Sequence, residues 1–277
     1  MRGKLTKVWA YASIALVVGI ILFLFIYVFI QGAGTISWEF LSQPPKGAIL
    51  GMEGGIWPAI AGSLCFTAVA IVLGGIPAIA AALYIVFYCK NKRLVKAFHA
   101  VIRCISGIPS IVLGLFAYSF LVRELQWGRC ILSSGVALGI MILPFVEVRA
   151  EKAFRELPKS VVISSYALGC SRRYTIMKIV LPACKGELTS GLILGGCYAM
   201  GATPPLIFTG GVAYASVPTS LMKPAMAMPL HLYLLLAQGA TSFDMAYGTA
   251  FVMMAVILIS NLLATIYAAR SQAKWKA

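Results

Sequence analysis

Side chains able to do acid, base or metal chemistry are scarce in this 277-residue chain. It has two histidines, His99 and His231, and one aspartate, Asp244, so neither a Ser-His-Asp arrangement nor an H-E-x-x-H helix can be assembled. No G-x-x-x-x-G-K-[ST] occurs, and any nucleotide hydrolysis therefore falls to another chain. The seven cysteines form no C-x-x-C pair and mostly sit in or beside apolar runs. They read as reduced packing residues, with no disulfide framework and no zinc site. Glu147 and Arg149, two residues apart on a helix, point to different faces. Both are expected at the cytoplasmic membrane edge, where charges at span ends snorkel cheaply.

The most informative stretch is the loop at about 150–187. With Arg149 at its entry it holds eight basic residues, the others being Lys152, Arg155, Lys159, Arg172, Arg173, Lys178 and Lys185. A solvated basic loop would have that charge, but this one also has a pattern. Pro158 with Ser160 starts a helix, and Val161, Ser164, Ser165 and Leu168 recur at helical spacing on one face. Gly169 stops it, and a second helical stretch runs to Pro182. A helix–Gly–helix hairpin of this kind suits docking into the groove of a cytoplasmic partner.

What positions such a hairpin follows from composition. Hydrophobic residues make up 61% of the chain and charged residues 11%, with a mean hydropathy of +0.92. A soluble enzyme, a disordered chain and a nucleic-acid-binding domain are excluded, and an all-α membrane protein is implied. Candidate spans lie at about 9–31, 58–88, 101–122, 131–149, 188–212 and 246–269, which gives about six. The first follows Arg2, Lys4 and Lys7 but is too long for a cleavable signal, so it reads as an uncleaved anchor. The segments 32–57, 123–130 and 213–245 hold four of the 23 Lys and Arg: Lys46, Arg123, Arg129 and Lys223. The other 19 fall in the N-terminus, the 89–103 turn, the long loop and the tail, so both termini are expected to be cytoplasmic.

Two spans carry breaks. Gly74, Gly75 and Pro77 let the second bend, and Gly195, Gly196, Gly201, Pro204 and Pro205 interrupt the fifth. A broken helix persists in lipid only where protein or a water cavity satisfies the freed backbone, which makes the fifth span a candidate pathway wall. The run 228–237 is too short to cross and is expected to lie in or dip into the outer interface. Residues 1–277 read as one membrane domain.

Gly169, nine residues and then Ile179-Val180-Leu181-Pro182 reproduce the end of the EAA loop, the ATPase-coupling signature of ABC importer permeases. The chain resembles the phosphate ABC importer permease family, PstA-type subunit, along most of its length. Further matching stretches are Gly55 to Leu64 with Thr67, Ser106 to Phe116, Leu143-Pro144 with Arg149, Gly201 with Thr203 to Thr209, and Pro229 to Tyr233. The resemblance implies an inner-membrane permease working by alternating access. It would pair with a sibling permease in a heterodimer, two copies of an ATPase and a periplasmic or extracellular solute-binding protein. ATP and Mg would be bound on the ATPase, with no cofactor and no metal on this chain and no nucleic acid partner.

Coupling to the ATPase is expected through Ser164, Ser165, Leu168, Gly169, Ile179, Leu181 and Pro182. For an anion pathway the candidates are Ser63, Thr67, Ser106, Ser110, Tyr198, Thr203 and Thr209, hydroxyls that with backbone N–H groups at broken-helix starts would hold an oxyanion. For each hydroxyl taken alone, hydrogen bonding between helices is the commoner use. Two departures from the family stand out. Ile163-Ser164 replaces the Glu-Ala that opens the EAA loop, and Tyr198 to Pro205 lacks the Arg and Glu of the family's R-A-x-G-E-T-A-P. An ABC permease for another oxyanion or small solute is the rival reading, with a non-ABC carrier or an intramembrane enzyme behind it.

Overall fold

The computed structural model describes residues 2–47, 50–239 and 242–276. Helix α1 (Arg2–Ala33) leads through the short α2 (Trp38–Ser42) into a two-residue antiparallel ladder of β1 (Pro45–Lys46) on β2 (Glu53–Gly54). Helices α3 (Trp57–Ala70) and α4 (Ile76–Leu83) form one 32-residue apolar element from Trp57 to Tyr88. Helices α5 (Lys92–Ser106) and α6 (Ser110–Ala117) follow, then the long α7 (Ile131–Glu156). After it come α8 (Lys159–Ala167), α9 (Arg172–Thr175), α10 (Leu181–Met200), α11 (Pro204–Thr209), α12 (Met228–Ala237) and α13 (Phe243–Lys276). The architecture is that of an all-α membrane protein.

Among the described residues, four elements are long and apolar enough to cross a bilayer: Thr6–Ala33, Trp57–Tyr88, Ile131–Glu156 and Phe243–Ser271. The third expected span, 101–122, is instead a pair of helices meeting at 97°, and counting the pair as one gives a fifth. Pro109 removes an N–H and pushes Ile108 out of helical geometry, so the chain turns there. The expected basic turn at 89–103 is largely the helix α5, capped by Asn91 Oδ1 accepting the Arg93 N–H at 2.9 Å. In the fifth expected span α10 ends at Met200, Gly201 to Thr203 leave the helix, and α11 is a short separate piece. Lys185 and Glu187 near the start of α10 also lower its apolar character.

Helix α7 is the hub. Buried residues make up 61% of its apolar window, against 0% for α1. It packs on α3, α4, α5, α6, α10 and α11. Toward one end its Ile131, Leu138 and Ile142 join Phe66, Ala70, Ala199 and Leu206. Toward the other, Ala150, Ala153 and Phe154 join Ala82, Val180 and Leu188. Apolar area does not drive helices together in lipid, so close backbone approach at small residues must. Gly74 meets Gly139 in this way: a Cβ on Gly74 would lie 2.1 Å from the Gly139 carbonyl oxygen.

Two wide turns precede prolines. Ile71–Gly75 runs as a π-helical turn just before Pro77, and Ile176–Val180 as another just before Pro182. Each opens the ladder where a proline lacks its donor and its ring would strike the carbonyl four residues back. At the end of the molecule away from α8, the loops are knitted by backbone bonds: Cys130 N–H to Thr209 O, Ile131 N–H to Lys223 O and Val212 N–H to Ala225 O, all 3.0–3.1 Å. The run expected at the outer interface is α12, which buries one face, Met228, Leu230, His231 and Leu235, and exposes Tyr233 and Leu236. It sits against α3 and α13.

The Gly74 contact makes a prediction. Gly74→Val drives two branches into the α7 backbone and is expected to cost about 1–3 kcal/mol, read as a lower melting temperature in detergent. Gly19→Val, where nothing lies within 4 Å, should leave melting unchanged. Equal melting of the two variants would mean that the Ile71–Gly75 turn and α7 do not touch there.

Candidate functional site

The α8–α9 hairpin is shaped by three residues. Leu157 is extended (ψ 129°) because Pro158 follows it, and Pro158 opens α8. Gly169 turns the chain at φ +78°, in the left-handed region, with nothing within 4 Å of where a Cβ would be. Ser171 then caps α9 by accepting the Tyr174 N–H at 3.3 Å. The hairpin closes on a buried hydrogen bond between the Ser165 and Thr175 hydroxyls, 2.8 Å apart.

That bond corrects one expectation. Ser165 faces α9 and is buried, so it is a brace of the hairpin and offers no docking surface. Ser164 is exposed, Leu168 stands out at 83% exposure, and Gly169 forms the turn. Ile179, Leu181 and Pro182 are half-buried where the chain enters α10. The surface also includes exposed Ile163, Tyr166, Tyr174 and Met177. Only Ile163 of these was singled out by sequence, although apolar residues within a basic loop are a readable signal. Val162 anchors α8 by packing on the cluster of Phe154 and Phe87.

The seven pathway hydroxyls divide. Ser110, Tyr198 and Thr203 gather with Met141, Gly201 and Ala202 around one cleft of about 380 Å³ between α6, α7 and the α10–α11 break. The other four do not reach it. Ser63 accepts the Met228 N–H at 2.8 Å and ties α3 to α12. Thr209 Oγ1 lies 2.7 Å from the Pro205 carbonyl and 2.9 Å from Ser134 Oγ. Ser106 donates to the Arg103 carbonyl at 2.9 Å and closes its own helix. Thr67 is buried, and among the described residues its hydroxyl oxygen has no hydrogen-bond partner.

From the cleft a ladder runs along α7. Met141 lines the cleft; one turn on, the Phe145 ring stacks on Tyr198 with centroids 6.2 Å apart, and a further turn on, the Arg149 guanidinium lies 4.8 Å from the Phe145 centroid. Tyr198 is 56% exposed and Arg149 is exposed on the same side. Arg149 is thus exposed, two turns along α7 from the cleft, with its guanidinium over an aromatic face. Sequence reasoning placed it at the span end and gave it no role.

Glu147 behaves differently from expectation. It does not snorkel: its side chain is fully buried and, among the described residues, neither carboxylate oxygen has a donor. The reason is that α5, expected as a turn, packs over this part of α7. His99 is carried on α5 and its Nε2 lies 2.8 Å from Glu151 Oε2. Arg129, near the opposite end, donates to the Ile207 and Gly211 carbonyls at 3.0 and 2.6 Å, a cation placed at the C-terminus of α11.

Residues 70–276 match the family described as "Binding-protein-dependent transport system inner membrane component". The "Probable phosphate transport system permease protein PstA" of Methanocaldococcus jannaschii is 33% identical over 207 residues, covering 74% of this chain and 73% of that protein. The "Phosphate transport system permease protein PstA 2" of Mycobacterium bovis is 26% identical over 267 residues, covering 95% and 86%. Among solved structures, the inward-facing MetNI methionine ABC transporter matches with a TM-score of 0.58 at 16% identity, over 78% of this chain and 94% of that one. This last likeness concerns the fold.

Proposed function

The chain belongs to the family of binding-protein-dependent transport system inner membrane components, and from that premise we propose that its cargo is inorganic phosphate. It is an ABC importer permease subunit, a membrane component and not an enzyme. The two relatives described above carry phosphate transport in their names.

The observation that carries the cargo reading is the Arg149–Phe145–Tyr198 ladder beside the cleft. An anion in low-dielectric protein needs a compensating charge. The family's arginine is replaced by Tyr198, and Arg149 supplies a guanidinium two turns along α7 from Met141. Ser110, Thr203 and the Tyr198 phenol add neutral donors around the cleft. The family's acidic residue is replaced by Ala202, which removes a repulsive partner from the anion.

The same reading assigns the remaining parts. The chain is one membrane domain with cytoplasmic termini, paired with a sibling permease, an ATPase dimer that binds ATP and Mg, and an external solute-binding protein. The α8–α9 hairpin docks into the ATPase through Ile163, Ser164, Tyr166 and Leu168, with Gly169 setting the turn. Because Ile163 replaces an acidic residue, this contact is apolar and weakly salt-dependent.

Three experiments test this. In proteoliposomes holding the complete complex, Arg149→Ala should lower ATP-dependent phosphate uptake by about 10–100-fold, the size of losing a charged hydrogen-bond donor, and Arg149→Lys should recover part of it. A wild-type complex that accumulates another solute and no phosphate overturns the cargo. Gly169→Val should uncouple ATP hydrolysis from uptake while membrane insertion stays normal, since a branched residue is strained at φ +78°; unchanged uptake would remove the hairpin from coupling. For orientation, an impermeant thiol reagent on intact cells should label an introduced Ser216→Cys and spare Cys104 and Cys170. Native Cys130 is no reporter, being buried with its Sγ 3.2 Å from Ser133 Oγ.

A further inference from the structure

Outside the cleft and the hairpin, His99, Glu147 and Glu151 converge where α5 packs on α7. One donor atom from each lies within 4.8 Å of the other two. His99 Nε2 is 2.8 Å from Glu151 Oε2, and Arg155 Nε donates to Glu151 Oε1 at 2.7 Å. Glu147 completes the group from the inside, fully buried beside the Glu151 carboxyl and, among the described residues, with no donor on either oxygen. A carboxylate taken out of water without donors leaves its desolvation uncompensated. Arg155 and His99 are both engaged by Glu151, so neither neutralises Glu147 by direct contact.

We propose that His99, Glu147 and Glu151 form a binding site for a divalent transition-metal ion of the zinc class that fastens α5 to α7. One imidazole and two carboxylates are a donor set for borderline ions of this kind. Ligands at about 2.1 Å around a tetrahedral ion stand about 3.4 Å apart. The present separations, 2.8 Å for His99 Nε2 to Glu151 Oε2 and none above 4.8 Å, bracket that value. The ion takes His99 Nε2 in its neutral form, so a proton is released if the ring was charged. Two carboxylates balance the charge of the ion. Arg155 keeps its bond to the other Glu151 oxygen and orients that ligand. His99 is a third exposed, which provides entry and leaves the fourth position to water.

The fastening has a structural consequence. Helix α5 leads into the Gly107-Ile108-Pro109 break and so to Ser110 in the cleft, while α7 carries Arg149 and leads into α8. A bound ion joins these two arms on the hairpin side of the molecule.

The test uses the complete complex purified through a tag without histidine and stripped with a chelator. Competition titration with Zn²⁺ should find one equivalent bound per copy of this chain. His99→Ala and Glu147→Gln should each weaken it by at least roughly tenfold. Zn²⁺ should raise the melting temperature of the wild type and of neither variant, and Co²⁺ should give a visible absorption band that both substitutions abolish. His99 is a third exposed, so metal-free His99→Ala should still unfold cooperatively, which separates loss of a ligand from loss of fold. Wild-type affinity retained in His99→Ala, or no Zn²⁺ bound by the wild type at micromolar concentration, overturns the site. Phosphate uptake does not enter the readout, so the cargo reading and the metal site stand or fall separately.

Discussion

The backbone contact between Gly74 and Gly139 is the constraint on which the rest of the molecule depends. In lipid, apolar area gains nothing by moving from acyl chains to side chains, so helix association must come from close approach. A side chain on Gly74 would collide with the carbonyl of Gly139 itself. That approach places α7 at the centre, where it packs on α3, α4 and α10 at once. Because α7 is surrounded, it can bury a carboxylate on one side while an arginine on the other stays exposed over Phe145. A peripheral helix such as α1, with none of its apolar window buried, could do neither.

Breaks in the backbone are distributed with the same economy. A helix interrupted in lipid leaves polar groups that nothing but protein or trapped water can satisfy. The interruptions at Gly107 to Pro109 and at Gly201 to Thr203 end on the same cleft, through Ser110 on one side and Gly201 and Thr203 on the other. The prolines at 77 and 182 are absorbed differently, by widening one turn while the helix continues. The distinction separates a break that makes a site from a proline that is merely tolerated.

Much of this was legible in the sequence. The runs near 9–31, 58–88, 131–149 and 246–269 reappear as long helices because their composition admits little else. Their ends extend further, α7 to Glu156 for instance, since charged residues continue a helix once it leaves the apolar layer. The hairpin was legible because Pro158, Gly169 and Pro182 punctuate it. What was not legible is which face packs. Ser164 and Ser165 look alike in a sequence, yet one is exposed and the other is tied to Thr175 ten residues on. Ser63 and Thr209 likewise serve packing, while Ser110 and Thr203 line the cleft. Helix α5 was hidden by its own charge: five basic residues at 90–103 read as a retained turn, and with the helix unseen nothing indicated that Glu147 would be covered.

Glu147 and Arg149 constrain how α7 can move. At about 100° per residue they lie roughly 200° apart around the helix, one fully buried under α5 and one exposed beside Phe145. Turning α7 about its own axis far enough to bury Arg149 would strip the guanidinium of water and pull Glu147 from its neighbours. Burying the unpaired guanidinium alone costs several kcal/mol. Opening or closing the cleft must therefore carry α7 as a rigid element together with α5 and the α3–α4 span that it touches through glycine. The freedom that remains lies in the two non-helical stretches bordering the cleft, 107–109 and 201–203. There the ladders of α5 and α10 end, on Gly107 N–H to Arg103 O and Gly201 N–H to Cys197 O, so a bend between the helices breaks no continuous ladder.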